Sequence, residues 1–73
     1  MEFVQINYPE ERPVYVDEEE NGKTNTIIRV GAGTHRFDLG EIQDYTPPYY
    51  EELVENTSAL DPLILNFTPK SDL

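Results

Sequence analysis

Short apolar runs separated by glycine-containing turns between residues 14 and 47 place the strongest constraint on how this chain folds. Val14-Tyr15-Val16-Asp17 precedes a polar stretch that ends in Asn-Gly, and Thr26-Ile27-Ile28-Arg29-Val30 leads directly into Gly31-Ala32-Gly33. Alternating apolar residues broken by such turns are typical of antiparallel hairpins. The pattern therefore predicts short β-strands, with a tight hairpin turn at Gly31-Ala32-Gly33.

Three further segments alternate between apolar and polar residues, namely residues 3–8, 34–39 and 63–67. In the second of them His35 shares a face with Phe37 and Leu39, because successive side chains of a strand point to opposite sides. A single histidine in such a place is more often a partly buried, hydrogen-bonded structural residue than a base or a ligand. We therefore expect a structural role for His35.

Residues 47–56 are compatible with two structures. Thr46 followed by Pro47 is typical of a helix N-terminus, which favours a short helical turn. Two adjacent tyrosines favour a strand, and Pro48 restricts Pro47 to extended geometry. We favour the strand. The predicted fold class is thus all-β, a small antiparallel β-sandwich of about six short strands.

The length of 73 residues limits the chain to one domain, which we place at residues 1–69, with residues 70–73 as a flexible tail. A domain of this size buries only about 60% of the surface that its unfolded chain exposes. The sequence contains no cysteine, so disulfides cannot supplement the small core. We therefore expect the stability of the domain to be marginal.

The net charge of −10, from 15 acidic and 5 basic residues, restricts the partners of this protein. A field of that sign repels phosphate backbones and anionic membrane surfaces, so we expect no nucleic-acid binding. No apolar run approaches the roughly 20 residues that a membrane-spanning helix needs. Met1-Glu2-Phe3 lacks the basic and apolar regions of a signal peptide. We expect a cytoplasmic chain if it is complete, and a periplasmic or surface domain if it comes from a longer exported protein.

The acidic stretch from Asp17 onward resembles the first half of a calcium-binding loop, with Asp17, Glu19 and Asn21 as candidate ligands. The twelfth position of such a loop, which must supply a bidentate carboxylate, is Ile28. We therefore favour a solvated acidic hairpin loop in which Asn-Gly supplies the left-handed backbone. A weak divalent-cation site at residues 17–21 is the alternative. We expect no cofactor.

The densest aromatic cluster consists of Tyr45, Tyr49 and Tyr50 beside Pro47 and Pro48. Tyrosine offers a large contact area at little cost in side-chain entropy, which suits a binding surface. The alternative is that these rings only cover one end of the sandwich. We take the three tyrosines as the candidate interface.

The order of turns resembles that of the PEGA domain, a small β module found mostly in bacterial and archaeal proteins. The matching segments are Val14-Tyr15-Val16-Asp17, Gly22-Lys23-Thr24-Asn25, Gly33-Thr34-His35 and Asp44-Tyr45-Thr46-Pro47. Asn25 stands where the family usually has proline, Asp44 stands where it has glycine, and the PEGA tetrapeptide itself is absent. The resemblance implies a compact β-sandwich used for binding or spacing, and it carries over no site residue.

These features predict a non-enzymatic β-sandwich module that contacts a protein or a glycan. The sequence has no cysteine nucleophile, and Ser58 and Ser71 have no neighbouring base. The alternatives are a structural subunit that associates with its own copies through sheet edges, and the cation-binding loop at residues 17–21.

Overall fold

The computed structural model describes residues 1–70 and is all-β over that range, which confirms the predicted fold class. Nine strands occur in the described residues, and residues 50–54 form a strand rather than a helical turn. The strands are β1 (Glu2–Asn7), β2 (Pro13–Val16), β3 (Glu19–Lys23), β4 (Ile27–Val30), β5 (Gly33–Asp38), β6 (Tyr45–Thr46), β7 (Tyr50–Val54), β8 (Leu63–Asn66) and β9 (Thr68–Pro69). No helix long and apolar enough to span a bilayer occurs among residues 1–70.

The strands form two main sheets and one small one. One main sheet has the order β4-β1-β8, the other has the order β3-β2-β5-β7, and β6 pairs with β9. All pairs are antiparallel except β1 and β8, which run parallel. The parallel pair brings a strand near the end of the chain next to the first strand, so the sandwich is closed by contacts between distant residues.

The core lies between the two main sheets and is built from alternate residues of their strands. Each main sheet buries one face and exposes the other, as the period of two along a strand requires. The buried apolar residues are Val4, Ile6, Tyr8, Val14, Val16, Ile28, Val30, Phe37, Leu39, Tyr45, Val54, Leu65 and Phe67.

The turn predicted at Gly31-Ala32-Gly33 connects two sheets rather than two paired strands. β4, before it, pairs with β1, whereas β5, after it, pairs with β2 and β7. The hairpin prediction was therefore wrong at this point. Glycine turns look alike in sequence whether the next strand returns beside the previous one or crosses to the opposite sheet.

The acidic stretch is also organised differently from the predicted loop. Asp17 and Glu18 form a two-residue turn with φ values of 51° and 71°, and residues 19–23 form strand β3. Two left-handed residues are what a tight hairpin turn between β2 and β3 needs. The predicted turn at Asn-Gly is thus wrong, and Asn21 and Gly22 instead lie opposite Val14, where the register between β2 and β3 shifts.

The two positions that depart from the PEGA pattern each make specific contacts. The Asn25 side chain accepts a hydrogen bond from the Tyr8 N–H at 3.1 Å and donates one to the Tyr8 carbonyl at 2.7 Å. Asp44 forms an ion pair of 3.0 Å with Arg12, and its carbonyl accepts from the N–H of Lys70. The rest of the predicted tail, residues 71–73, lies outside the described residues.

Candidate functional site

Tyr45 belongs to the core, so its assignment to a contact surface is wrong. Its side chain is 0% exposed, and its ring meets that of Phe67 edge-to-face with centroids 5.3 Å apart. The hydroxyl donates to the Gly40 carbonyl at 2.8 Å and accepts from the Leu39 N–H at 3.2 Å. Burial raises the pKa of the Tyr45 phenol above its usual range. A ring held in this way anchors residues 39–45 from inside.

Tyr50 is partly buried and faces the gap between the two main sheets. Its ring packs edge-to-face on Phe67, which also contacts Tyr45, with centroids 5.1 Å apart. Its hydroxyl donates to the Asn66 carbonyl at 2.7 Å and so connects β7 to β8. Two of the three predicted tyrosines therefore meet around Phe67 rather than on the surface.

Tyr49 is the predicted residue that the structure exposes, and it lies on the outer face of the four-stranded sheet. Its side chain is 45% exposed, and the Arg36 guanidinium lies 4.3 Å from its ring centroid. Arg36 faces Glu51 across β5 and β7, and Thr34 faces Leu53, which is 58% exposed. We call these five residues, Thr34, Arg36, Tyr49, Glu51 and Leu53, the tyrosine–arginine surface.

An open groove of about 830 Å³ is lined by residues of β2, the end of β5 and the segment 39–43. Tyr15 lines this groove. It pairs with Asp38 on the neighbouring strand, and its ring packs against Gly40. Arg12 and the exposed Ile42 also line the groove, and the Arg12 guanidinium forms the ion pair with Asp44. The outer side of this sheet thus presents two tyrosines with guanidinium and carboxylate groups around them.

The three candidate metal ligands, Asp17, Glu19 and Asn21, line one small pocket together with Arg29 and His35. No group of three histidine or acidic side chains in residues 1–70 is arranged to hold a metal ion. The Asp17 carboxylate accepts from His35 and from the Arg36 N–H, and the Asn21 side chain donates to the Arg29 carbonyl. Glu19 is exposed at the start of β3. The turn at Asp17 therefore serves the fold.

His35 is held at both ring nitrogens, and its side chain is 18% exposed. Nδ1 lies 2.6 Å from the Asp17 carboxylate, and Nε2 lies 2.6 Å from the Gly31 carbonyl. Both partners accept only, so both nitrogens donate when the ring is a protonated imidazolium. The hydrogen bond with Asp17 raises the pKa of His35, and the hydrogen bond with His35 lowers the pKa of Asp17.

This pair predicts a pH dependence of stability. The raised pKa of His35 adds stability that is fully present below about pH 6.5 and is lost as the pH rises through the folded-state pKa. The lowered pKa of Asp17 adds stability that is present above about pH 4 and is lost as the pH falls through its folded-state pKa. We expect the free energy of unfolding, measured by urea titration, to be highest between these two pH values. It should decrease by about 0.5–1 kcal/mol toward pH 9.

His35→Gln is the control for this prediction, because glutamine is also polar but has no imidazole ring that can be protonated. We expect its urea midpoint to be nearly constant between pH 6 and pH 9. An equal slope in the variant would show that the pair does not cause the effect.

The outer face of the three-stranded sheet has a different character. Gln5 lies between Ile27 and Ile64, each 44% exposed, and donates to the Asn7 side chain at 2.8 Å. Asn7 in turn donates to the Asn66 side chain at 3.0 Å. We call the outward residues of this sheet the amide face, and none of them is acidic: Phe3, Gln5, Asn7, Ile27, Arg29, Ile64 and Asn66.

The sequence contained signals for part of this arrangement. The period of two places Tyr49, Glu51 and Leu53 on one side of β7 and Tyr50 on the other, and it separates Arg36 from Phe37. The pairing that brings Arg36 under Tyr49 has no local signal. Comparison of the chain with family models, curated proteins and solved structures gives no match.

Proposed function

We propose that this chain is a non-enzymatic β-sandwich module that contacts a protein or a glycan through the tyrosine–arginine surface. The observation that carries the proposal is the exposed Tyr49 ring 4.3 Å from the Arg36 guanidinium, on the same outer face of the sheet as the exposed Leu53. Tyrosine and arginine are enriched at positions that dominate binding energy, and a guanidinium on a ring restrains both groups before binding. A preorganised pair of this kind loses little entropy when a partner arrives.

The state of the polar groups inside the molecule supports a role without catalysis. The imidazole of the single histidine is bound at both nitrogens, and the hydroxyl of Tyr45 is bound in the core. The hydroxyl of Thr24 bonds Glu10 and Arg12. Each of these groups supports the local fold, so we propose that none acts as a nucleophile or base.

Charge and turn order also support a contact module. The net charge of −10 favours a protein or glycan partner over nucleic acid. The order of turns that resembles the PEGA domain implies binding or spacing. We therefore propose membership of that family together with the contact function.

Alanine substitution of Tyr49 tests the proposed function. We expect the free energy of unfolding of the variant to lie within about 1 kcal/mol of that of the parent, because the lost contact with Arg36 is at the surface. For ligands selected on the parent from polysaccharide panels or peptide libraries, we expect binding to weaken about thirtyfold, the equivalent of about 2 kcal/mol. Titration calorimetry measures both affinities.

Ile27→Ala is the matched control, since Ile27 is exposed to nearly the same fraction on the opposite sheet. We expect it to bind like the parent. If Ile27→Ala loses affinity and Tyr49→Ala does not, the contact surface is the amide face and the proposal is wrong.

A second candidate function, self-association as a structural subunit, is favoured by the amide face alone. Two copies of charge −10 repel each other, and a face whose outward residues include no carboxylate allows the closest approach. Exposed Ile27 and Ile64 would supply the apolar contact. Sedimentation at increasing protein concentration separates the candidates, because a strict monomer excludes self-association.

A further inference from the structure

β7 is an edge strand whose outer backbone groups can be identified. The Arg36 N–H donates to the Asp17 carboxylate, and the Arg36 carbonyl accepts from the Asp17 N–H, so Arg36 directs its backbone toward β2. Backbone direction alternates along an antiparallel strand, so His35 and Phe37 direct theirs toward β7. Their partners on β7 are Glu52 and Tyr50. The N–H and C=O groups of Glu51 and Leu53 therefore point away from the sheet.

Two other sheet edges in residues 1–70 already carry side-chain hydrogen bonds to their backbone carbonyls. β3 and β4 lie side by side at one end of the sandwich, where the Asn21 side chain donates to the Arg29 carbonyl at 2.9 Å. On β8 the Asn66 carbonyl already accepts from Tyr50. In the described part of the chain, no side chain or loop bonds to the outward N–H and C=O groups of Glu51 and Leu53, so the edge of β7 is open to a further strand.

The charges along this edge disfavour a second copy of the same strand. Glu51 and Glu55 lie two residues before and two residues after Leu53, and both are exposed. In an antiparallel pair of β7 strands centred on Leu53, each Glu51 would face a Glu55 of the other copy. Like charges directly opposite each other destabilise a strand pair. Charged edge residues are a common protection against such self-pairing.

The same charges favour a basic strand. We propose that the outer edge of β7 accepts an extended peptide segment of alternating apolar and basic residues as an additional antiparallel strand. Addition of a strand to an exposed edge is a common mode of peptide recognition. The inference rests on the proposed contact function and narrows its partner to a protein segment.

Side-chain direction follows from the backbone pairing. Residues that exchange hydrogen bonds with Glu51 and Leu53 share their face of the sheet, so the basic side chains lie on the outer face, near Glu51, Glu55 and Tyr49. The apolar side chains fall on the inner side, next to Tyr50, Glu52 and Val54. Their own N–H groups point to solvent.

A titration of the ¹⁵N-labelled protein with a heptapeptide of alternating valine and lysine tests this inference. We expect amide shift changes to be largest at Glu51 and Leu53 and to be confined to β5 and β7. A peptide of alternating valine and glutamate should bind at least tenfold more weakly. Equal binding of the two peptides, shift changes on the amide face, or no binding would each overturn the proposal.

Two methylated peptides distinguish strand addition from simple charge attraction. N-methylation of the lysines removes the N–H groups that would bond to β7, and we expect binding to be lost. N-methylation of the valines alters only N–H groups that point to solvent, and we expect it to change affinity less than threefold. Loss of affinity with both peptides, or with neither, would contradict the proposed pairing.

A protein variant supplies the reciprocal test. Glu51→Lys combined with Glu55→Lys should reverse the preference, so that the valine–glutamate peptide binds more tightly than the valine–lysine peptide. An unchanged preference in the folded variant would refute the role of these carboxylates. If none of these peptides binds, but Tyr49→Ala still weakens the binding of other selected ligands, this inference is wrong and the proposed contact function is retained.

Discussion

Replacing Tyr45 with alanine is expected to lower the free energy of unfolding by about 3–5 kcal/mol, the usual cost of deleting a buried aromatic ring. The ring is completely buried against Phe67, and its hydroxyl bonds Gly40 and Leu39. A core of this size rarely supplies more than about 3–5 kcal/mol in total. We therefore expect the variant to be largely unfolded at 25 °C, as measured by far-ultraviolet circular dichroism and amide peak dispersion.

Two further tyrosine variants divide this effect into its parts. Tyr45→Phe keeps the ring and removes the hydroxyl, so we expect a loss of about 1–3 kcal/mol from the unpaired Leu39 N–H and Gly40 carbonyl. Tyr49→Ala removes a ring of the same type from the surface and should leave the protein folded. Equal stability of Tyr45→Ala and Tyr49→Ala would contradict the assignment of one ring to the core and the other to the surface.

The contrast between these tyrosines shows what local sequence can predict about the site. The period of two separates Tyr49 from Tyr50 without any knowledge of the partner strands. The burial of Tyr45 depends on Phe67, which lies 22 residues later in the sequence and is brought close by the pairing of β6 with β9. Local periodicity therefore distinguishes Tyr49 from Tyr50, whereas the burial of Tyr45 depends on pairing between distant segments.

The strands of the fold also differ in how far local sequence predicts them. Strands with alternating apolar residues, such as β1 and β5, follow from burial of one face, and the structure confirms that residues 1–70 are all-β. β3 has the sequence Glu-Glu-Asn-Gly-Lys, which contains no apolar residue, so nothing in its own composition indicates a strand. It forms because the two-residue turn at Asp17 returns the chain alongside β2. Likewise, the parallel pairing of β1 with β8 leaves no local signal in either strand.

Replacing Gly22 with alanine should also lower the free energy of unfolding substantially, because two separate constraints act on this residue. Its φ is +78°, a left-handed conformation that costs alanine about 1–2 kcal/mol. A β-carbon there would also overlap the γ2 methyl of the buried Ile28 on β4, and overpacking of this kind costs about 1–3 kcal/mol. We expect Gly22→Ala to lower the free energy of unfolding by about 2–4 kcal/mol in urea titrations.

The glycines of the turn between the sheets provide matched controls that separate these constraints. Gly33 has a φ of +128° but open space around a β-carbon, so Gly33→Ala measures backbone strain alone. Gly31 has neither constraint, and Gly31→Ala should be neutral or slightly stabilising, because it restricts the unfolded chain. We expect Gly22→Ala and Gly33→Ala both to destabilise the protein more than Gly31→Ala. If Gly22→Ala costs no more than the roughly 1–2 kcal/mol of its left-handed backbone, β3 does not approach Ile28 as closely as the structure places it.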